Sequence, residues 1–306
     1  MLEFNRAPIS LGLYPILRDH RRRVIFTGMG ASHIAALPSW RRLVAAGEAA
    51  WWIDTKDLLE DPQQLTSDSL LVVTSRSGCS AHVRALTYEL GRTMTPAAVV
   101  AITDDMASPL AAVCDCEVLL RSGASGSPTG FLNALIAHDY VASMILNEDN
   151  DDVAATADIV ATATLPRELR KVAASVAAQQ DSRLAYIGFS EHAAVALYAA
   201  LLTNDVTGVD ARGHIGERSL PGVVRRANAQ LTAILFGSGR PCDAALPALA
   251  DDLLKMGSNV VVVGAASVPG SIHIPTPTAH AIADVARNVM VIEHFVSALA
   301  SQRAES

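Results

Sequence analysis

The sequence predicts an α/β protein made of two consecutive halves, each a parallel sheet sandwiched between helices. Three observations predict it: short β-branched runs alternate with longer amphipathic stretches, the pattern occurs twice, and landmark residues of the two halves share a fixed offset. The chain has 306 residues, about two domains of roughly 150 residues each.

Eight runs are predicted as strands, four in each half. They are rich in Val, Ile, Leu and Thr, as the strands of a buried sheet are, and helical patterns separate them. The predicted strands are 24–27, 69–74, 97–103 and 117–120, followed by 183–188, 230–237, 259–264 and 271–274. Each half ends with a long predicted helix, 129–146 in the first and 279–301 in the second.

Recurring landmarks favour a tandem duplication. Pairs of landmarks lie 160 or 161 residues apart: Gly28 with Gly188, Gly78 with Gly239, and Pro109 with Pro269. The polar stretch 147–152 is typical of a linker. We therefore expect one domain over residues 1–150 and a second over residues 151–306.

Composition argues against several classes of protein. The net charge is −7 and the longest basic run is three arginines, so nucleic-acid binding is not expected. No apolar run reaches the ~18 residues of a membrane span, and the start lacks the pattern of a signal peptide. We expect a soluble, cytoplasmic protein. The four cysteines are too few for a disulfide framework, and no metal site is predicted from them.

The most informative loop is Thr-Ser-Arg-Ser-Gly-Cys-Ser at residues 74–80, which follows an apolar strand and opens a predicted helix over 81–90. Its hydroxyls, its backbone N–H groups and the positive end of the helix dipole suit a phosphate dianion. Gly78 lets the backbone approach such a ligand. Serine is also common at helix N-caps, so local chemistry alone supports an ordinary cap equally well.

Two further loops rich in glycine and hydroxyls, 28–32 and 122–129, also follow strands and open helices. Because ligands of parallel sheets settle beyond the carboxyl ends of the strands, the three loops can converge on one ligand. Neither loop matches the dinucleotide fingerprint, and no nucleoside-triphosphate P-loop occurs. Dinucleotide and nucleoside-triphosphate binding are therefore not expected.

Taken together, Gly-x-Gly-x-Ser from residue 28, Ser-x-Ser-Gly-x-Ser from residue 75 and the hydroxyl-rich entry to a long helix resemble the sugar isomerase (SIS) domain. The tandem arrangement resembles the double-SIS phosphosugar proteins, which include the isomerase half of glucosamine-6-phosphate synthase and related isomerases and deaminases. The resemblance implies two flavodoxin-like SIS domains, a phosphorylated sugar or aminosugar as ligand, and no cofactor. It also implies a homodimer, which the apolar faces of the long helices favour independently.

The resemblance assigns roles to residues of the three loops. The hydroxyls of Ser75, Ser77 and Ser80 and the backbone amide of Arg76 would hold the phosphate. The hydroxyls of Ser32 and Thr129 would contact the sugar.

The catalytic pattern of the family is only partly present. Asp205 stands where the family places a glutamate base, and Glu217 matches the family's Gly-Glu pair. The usual ring-opening histidine is replaced by Leu220, and a frequent lysine near the base is Leu202. No lysine follows Lys255 in this sequence, so Schiff-base chemistry by a lysine in the tail is not expected.

His214 is a candidate to replace the missing histidine, because a neutral imidazole beside a carboxylate transfers protons near pH 7. The alternative is a loop histidine with an ordinary hydrogen bond. We predict an isomerase or deaminase that moves a proton through an enediol or enolamine, with Asp205, Glu217 and His214 as its catalytic residues. The alternative function is a sugar-phosphate sensor that retains the phosphate loop without catalysis.

Overall fold

The structure is a computed structural model that describes residues 23–122, 129–148, 152–216, 220–276 and 280–305. The chain divides between Ala154 and Ala155 into two compact units, here called unit 1 and unit 2 in chain order. Each unit contains one five-stranded sheet in which neighbouring strands run parallel.

The sheet of unit 1 has the strand order β2-β1-β3-β4-β5. The strands are β1 (Arg23–Gly28), β2 (Ala50–Asp54), β3 (Ser69–Thr74), β4 (Ala98–Thr103) and β5 (Cys116–Leu119). All residues of β3 and β4 are buried. This is why both strands are nearly continuous apolar runs, since helices cover both faces of the sheet.

The helices of unit 1 lie on both faces of its sheet. They are α1 (Ala31–Ala35), α2 (Leu37–Ala45), α3 (Thr55–Glu60), α4 (Ala81–Glu89) and α5 (Thr129–Leu146). Leu58 of α3 and Leu86 of α4 pack with Ile25 and Val73 of the sheet. On the other face α5 packs against α1 and α2.

Helix α5 is buried along nearly its whole length within one chain, from Phe131 to Ile145. The expectation that its apolar faces form a surface for a second chain is wrong for α5, because a single chain already covers those faces. Arg42 of α2 donates hydrogen bonds to Asp139 Oδ1 over 2.7 Å and to Ser143 Oγ over 2.9 Å. These bonds tie α2 to the buried polar positions of α5.

Unit 2 has the strand order β7-β6-β8-β9-β10. The strands are β6 (Arg183–Gly188), β7 (Asp210–Ile215), β8 (Leu231–Gly237), β9 (Asn259–Gly264) and β10 (Ile272–Pro275). The helices are α6 (Asp152–Thr162), α7 (Arg167–Ala177), α8 (Ala193–Thr207), α9 (Leu220–Val224), α10 (Leu246–Lys255) and α11 (Ala281–Glu305). Numbered within its own unit, each sheet has the order 2-1-3-4-5, which is the flavodoxin-like order.

The predicted α/β class, with parallel sheets flanked by helices, is confirmed, and all eight predicted strands occur within one residue of their predicted ends. Two strands were missed, β2 and β7, and each is an edge strand beside the first strand of its unit. Neither is a buried apolar run: Trp51 of β2 is 40% exposed, and β7 reads Asp-Ala-Arg-Gly-His-Ile. Among the described residues, no helix is long and apolar enough to cross a membrane.

Candidate functional site

The crevice of unit 1 lies between β1 and β3, because β2 continues the sheet on one side of β1 while β3, β4 and β5 continue it on the other. Open parallel sheets bind ligands at such a switch point, beyond the carboxyl ends of the strands. Gly28 ends β1 in register with Thr74, which ends β3. A Cβ on Gly28 would lie 2.9 Å from the Thr74 carbonyl oxygen, so glycine allows the two strand ends to approach.

The loop from Ser75 to Ser80 leads from β3 into α4. The Ser75 N–H donates to the Ile102 carbonyl over 3.0 Å, and the Gly78 N–H donates to the Ser75 carbonyl over 3.0 Å. Gly78 has a φ of +58°, which L side chains rarely adopt. Ser80 is the N-cap of α4 and makes no side-chain capping bond. The turn therefore places serine hydroxyls at the N-terminus of α4.

The end of β4 and the loop that follows it hold this turn through hydrogen bonds. Thr103 Oγ1 donates to the Arg76 carbonyl over 3.1 Å, and the Asp104 N–H donates to the same oxygen over 2.9 Å. A Cβ on Gly78 would lie 2.1 Å from Ser108 Oγ, so the two loops are in close contact. These contacts make the serine loop a preorganised element of the site, as ligand recognition requires.

The loop that follows β5 is tied into the same edge of the sheet. The Asp104 carboxylate accepts hydrogen bonds from the Ser122 N–H, over 2.9 Å, and from the Ser122 hydroxyl. The Arg76 side chain reaches the first turn of α5, where its guanidinium lies 4.0 Å from the position of a Cβ on Gly130. Residues 123–128 and the side chain of Thr129 lie outside the described part of the structure.

A buried histidine lies beneath the serine loop. His138 of α5 is fully buried, its Nε2 lies 2.9 Å from Thr74 Oγ1 in a hydrogen bond, and its ring packs edge-on against Phe26. Burial, with a smaller contribution from His33, lowers the pKa of His138 to about 3. The imidazole is therefore neutral near pH 7. His138 is not among the predicted site residues, although a histidine within an apolar helix indicates a buried side chain with a hydrogen-bond partner.

A second histidine lies in α1, the helix that follows β1. His33 stacks on Trp52 with ring centroids 4.1 Å apart, and its carbonyl accepts a hydrogen bond from Trp52 Nε1 over 2.7 Å. Burial lowers the pKa of His33 to about 4, partly opposed by Asp54 and Asp57. The preceding residue, Ser32, is half-buried in the first turn of α1. The structure thus places Ser32 beside the crevice and fixes its helix through Trp52.

The three predicted catalytic residues of unit 2 are Asp205, His214 and Glu217, and the structure describes the positions of the first two. Asp205 is exposed in the last turn of α8, and Glu217 lies outside the described residues. The prediction that His214 lies in a loop is wrong, because it belongs to β7 and pairs in register with Ile187.

His214 lies among charged side chains of both signs. It lines a small pocket with Arg183, Asp210, Arg212 and Arg226. Burial, followed by the charges of Arg226 and Arg212, lowers the pKa of His214. Within the described part of the chain, no group of three or more His, Cys, Asp or Glu residues could hold a metal ion.

Two parallel sheets of order 2-1-3-4-5, with a serine-rich loop at a switch point, are the architecture expected of double-SIS phosphosugar proteins. Comparison with solved structures confirms that resemblance at the level of the fold. The C-terminal domain of glucosamine-fructose-6-phosphate aminotransferase from Francisella tularensis matches with a TM-score of 0.85. It is 12% identical, over 97% of this chain and 88% of that chain.

Two enzymes with their own named activities share this fold. Tagatose-6-phosphate ketose/aldose isomerase from Escherichia coli is 20% identical over 100% of this chain and 88% of that chain, with a TM-score of 0.75. Glucosamine-6-phosphate deaminase from Thermotoga maritima is 16% identical over 96% of this chain and 91% of that chain, with a TM-score of 0.68. No protein-family model matches the chain, and no curated protein matches it in sequence.

Proposed function

We propose that the protein binds a phosphorylated sugar or aminosugar at the crevice of unit 1 and isomerises or deaminates it. The observation that carries this proposal is the serine loop at the N-terminus of α4, supported from behind by the β4 loop. Helix N-termini bind phosphate through free backbone N–H groups and the helix dipole. The structures of similar fold that are named for sugar-phosphate isomerisation and deamination support the same class.

In this proposal, each side chain has one role. The phosphate would accept hydrogen bonds from the hydroxyls of Ser75, Ser77 and Ser80 and from the backbone amide of Arg76. The hydroxyls of Ser32 and Thr129 would contact the sugar. Asp205 or Glu217 would move the proton between adjacent carbons, and His214 would assist ring opening. No cofactor takes part in this scheme.

A sugar-phosphate sensor is the second candidate function. It is favoured by the surroundings of the predicted catalytic groups. Asp205 is exposed, and among the described residues the charged groups that lower the pKa of His214 are the guanidinium groups of Arg226 and Arg212. A sensor needs the serine loop and does not need these residues to act on the ligand.

Replacing Ser75 and Ser77 together by alanine is expected to abolish the thermal stabilisation that a sugar phosphate produces. A ligand at 100 times its Kd stabilises the folded state by about 2.7 kcal/mol, whereas hydrogen bonds to a charged group contribute about 1.5 to 3 kcal/mol each. The measurement is a thermal-shift screen of sugar phosphates with five to seven carbons, with and without amino groups.

The control for this screen is Ser267→Ala, which removes an exposed loop serine of unit 2 and should leave the shift unchanged. An unchanged shift in the Ser75 and Ser77 double variant would refute the phosphate assignment. Loss of the shift in both variants would point to a general loss of stability.

We further propose that the two units are tandem SIS domains, 1–150 and 151–306, and that the protein forms a homodimer. The burial of α5 removes one argument for the dimer, so this proposal rests on the family resemblance. Sedimentation at micromolar concentration is expected to show a species of twice the chain mass. A species of one chain mass alone would overturn the dimer.

A further inference from the structure

The loop after β8 is the counterpart in unit 2 of the serine loop. Both loops follow the third strand of a sheet of order 2-1-3-4-5, β3 ending at Thr74 and β8 at Gly237. In the sheets, Gly28 pairs in register with Thr74 and Gly188 pairs in register with Phe236. Gly237 therefore corresponds to Ser75, and Asp243 corresponds to Ala81, the first residue of α4. The loop of unit 2 thus has a carboxylate where unit 1 has a methyl group.

Asp243 already fills the donors of its own loop. It is 5% exposed, and its Oδ2 accepts hydrogen bonds from the Ser238 N–H over 2.6 Å, the Gly239 N–H over 2.9 Å and the Ser238 hydroxyl over 2.9 Å. Two backbone N–H groups and a hydroxyl directed at one charged oxygen are the same arrangement that holds a phosphate oxygen.

We propose that Asp243 is an internal substitute for phosphate: its carboxylate closes the anion site of unit 2, so that one chain binds one phosphate, in unit 1. The count of one rests on the proposed function, whereas the closure of unit 2 rests only on the contacts of Asp243. Asp243 is thus a specificity-determining residue, because it decides which of two similar crevices accepts an anion.

The surroundings of Asp243 would accept an anion if the carboxylate were removed. A pocket of about 180 Å³ adjoins it, lined by Gly239, Arg240 and Asp243 among others. Arg240 Nη1 lies 3.0 Å from Glu191 Oε1, and its half-exposed side chain keeps a positive charge beside the loop. Replacing Asp243 by serine would free three donors beside this pocket.

The test counts bound phosphate per chain by equilibrium dialysis against labelled inorganic phosphate. Wild type is expected to bind one phosphate and Asp243→Ser two. In the Ser75→Ala, Ser77→Ala background, where unit 1 no longer binds, adding Asp243→Ser is expected to raise the count from zero to one. Asp243→Asn is the matched control, because its amide oxygen can keep the loop donors occupied and should leave the count unchanged.

The outcomes separate this inference from the proposed function. A wild-type count of zero with a count of one in the triple variant would overturn the phosphate site of unit 1 and support the role of Asp243. A wild-type count of one with a triple-variant count of zero, in a folded protein, would overturn the role of Asp243 alone. A count of zero in wild type and in the triple variant would overturn both the phosphate site of unit 1 and the role of Asp243.

A reciprocal variant covers the case in which Asp243→Ser does not fold. Ala81→Asp places a carboxylate at the exposed position of unit 1 that corresponds to Asp243. It is expected to raise the thermal midpoint in phosphate-free buffer above that of Ala81→Asn, which has nearly the same shape without the charge. Phosphate should then add no stability. A midpoint no higher than that of Ala81→Asn would overturn the inference.

Discussion

Acidification from pH 6.5 to pH 4 is expected to destabilise unit 1 steeply, because two of its histidines are neutral in the folded protein and charged in the unfolded chain. The pKa of His138 is lowered to about 3 and that of His33 to about 4, from an ordinary value of 6.5. Between those values the unfolded chain binds protons that the folded chain does not, so stability falls as the pH falls. For His138 the loss is roughly 3 to 4 kcal/mol at pH 4, at about 1.4 kcal/mol per pKa unit.

A substitution that retains the hydrogen bond but removes the titratable group tests whether His138 causes this pH dependence. His138→Gln retains a polar group for Thr74 Oγ1 and cannot titrate. Its free energy of unfolding is expected to depend less on pH than that of wild type. All three tryptophans, Trp40, Trp51 and Trp52, lie in unit 1, so tryptophan fluorescence in urea titrations at several pH values reports this unit.

His280→Gln is the control, because that side chain is exposed. It is expected to follow the wild-type pH profile. Parallel pH profiles for wild type and His138→Gln would show that His138 does not resist protonation in the folded state, and would contradict the prediction.

Burial explains which elements could be predicted from the sequence. Strands β3 and β4 are buried on both faces, so each is a continuous apolar run that indicates a strand unambiguously. Strands β2 and β7 lie at sheet edges, where one face is partly exposed and polar side chains are tolerated. In β7 the polar residues Asp210, Arg212 and His214 alternate with nonpolar ones, which is a strand signal of period two. That alternation could have placed His214 on a strand.

The serine loop was predictable because all of its donors are adjacent in the sequence. Its supports were not, since each joins residues far apart in the chain. Thr74 and His138 are 64 residues apart, and Thr103 and Arg76 are 27 apart. The contacts of Asp243 are local, yet an aspartate six residues after a strand end is also an ordinary cap. Only its geometry shows one oxygen accepting from three donors.

The largest effects are expected on proton exchange. If the protein is an isomerase or deaminase, it should exchange a carbon-bound proton of the bound sugar phosphate with solvent, because an enediol or enolamine forms by loss of that proton. Transfer by a positioned side chain contributes about 10² to 10⁴ in rate. Asp205→Asn, Glu217→Gln and His214→Ala are therefore each expected to lower the exchange rate at least about 100-fold, with the ligand-induced thermal shift retained.

Deuterium incorporation followed by mass spectrometry measures this exchange without knowledge of the product. Asp252→Asn is the matched control, because Asp252 is an exposed helix carboxylate outside the proposed site, and it should exchange at the wild-type rate. Wild-type protein that binds a sugar phosphate and exchanges no proton would replace the enzyme proposal with the sensor. Exchange that survives all three substitutions would show that the base lies elsewhere in the chain. Loss with Asp205→Asn alone would identify the carboxylate of α8 as the base, despite its exposure in a single chain.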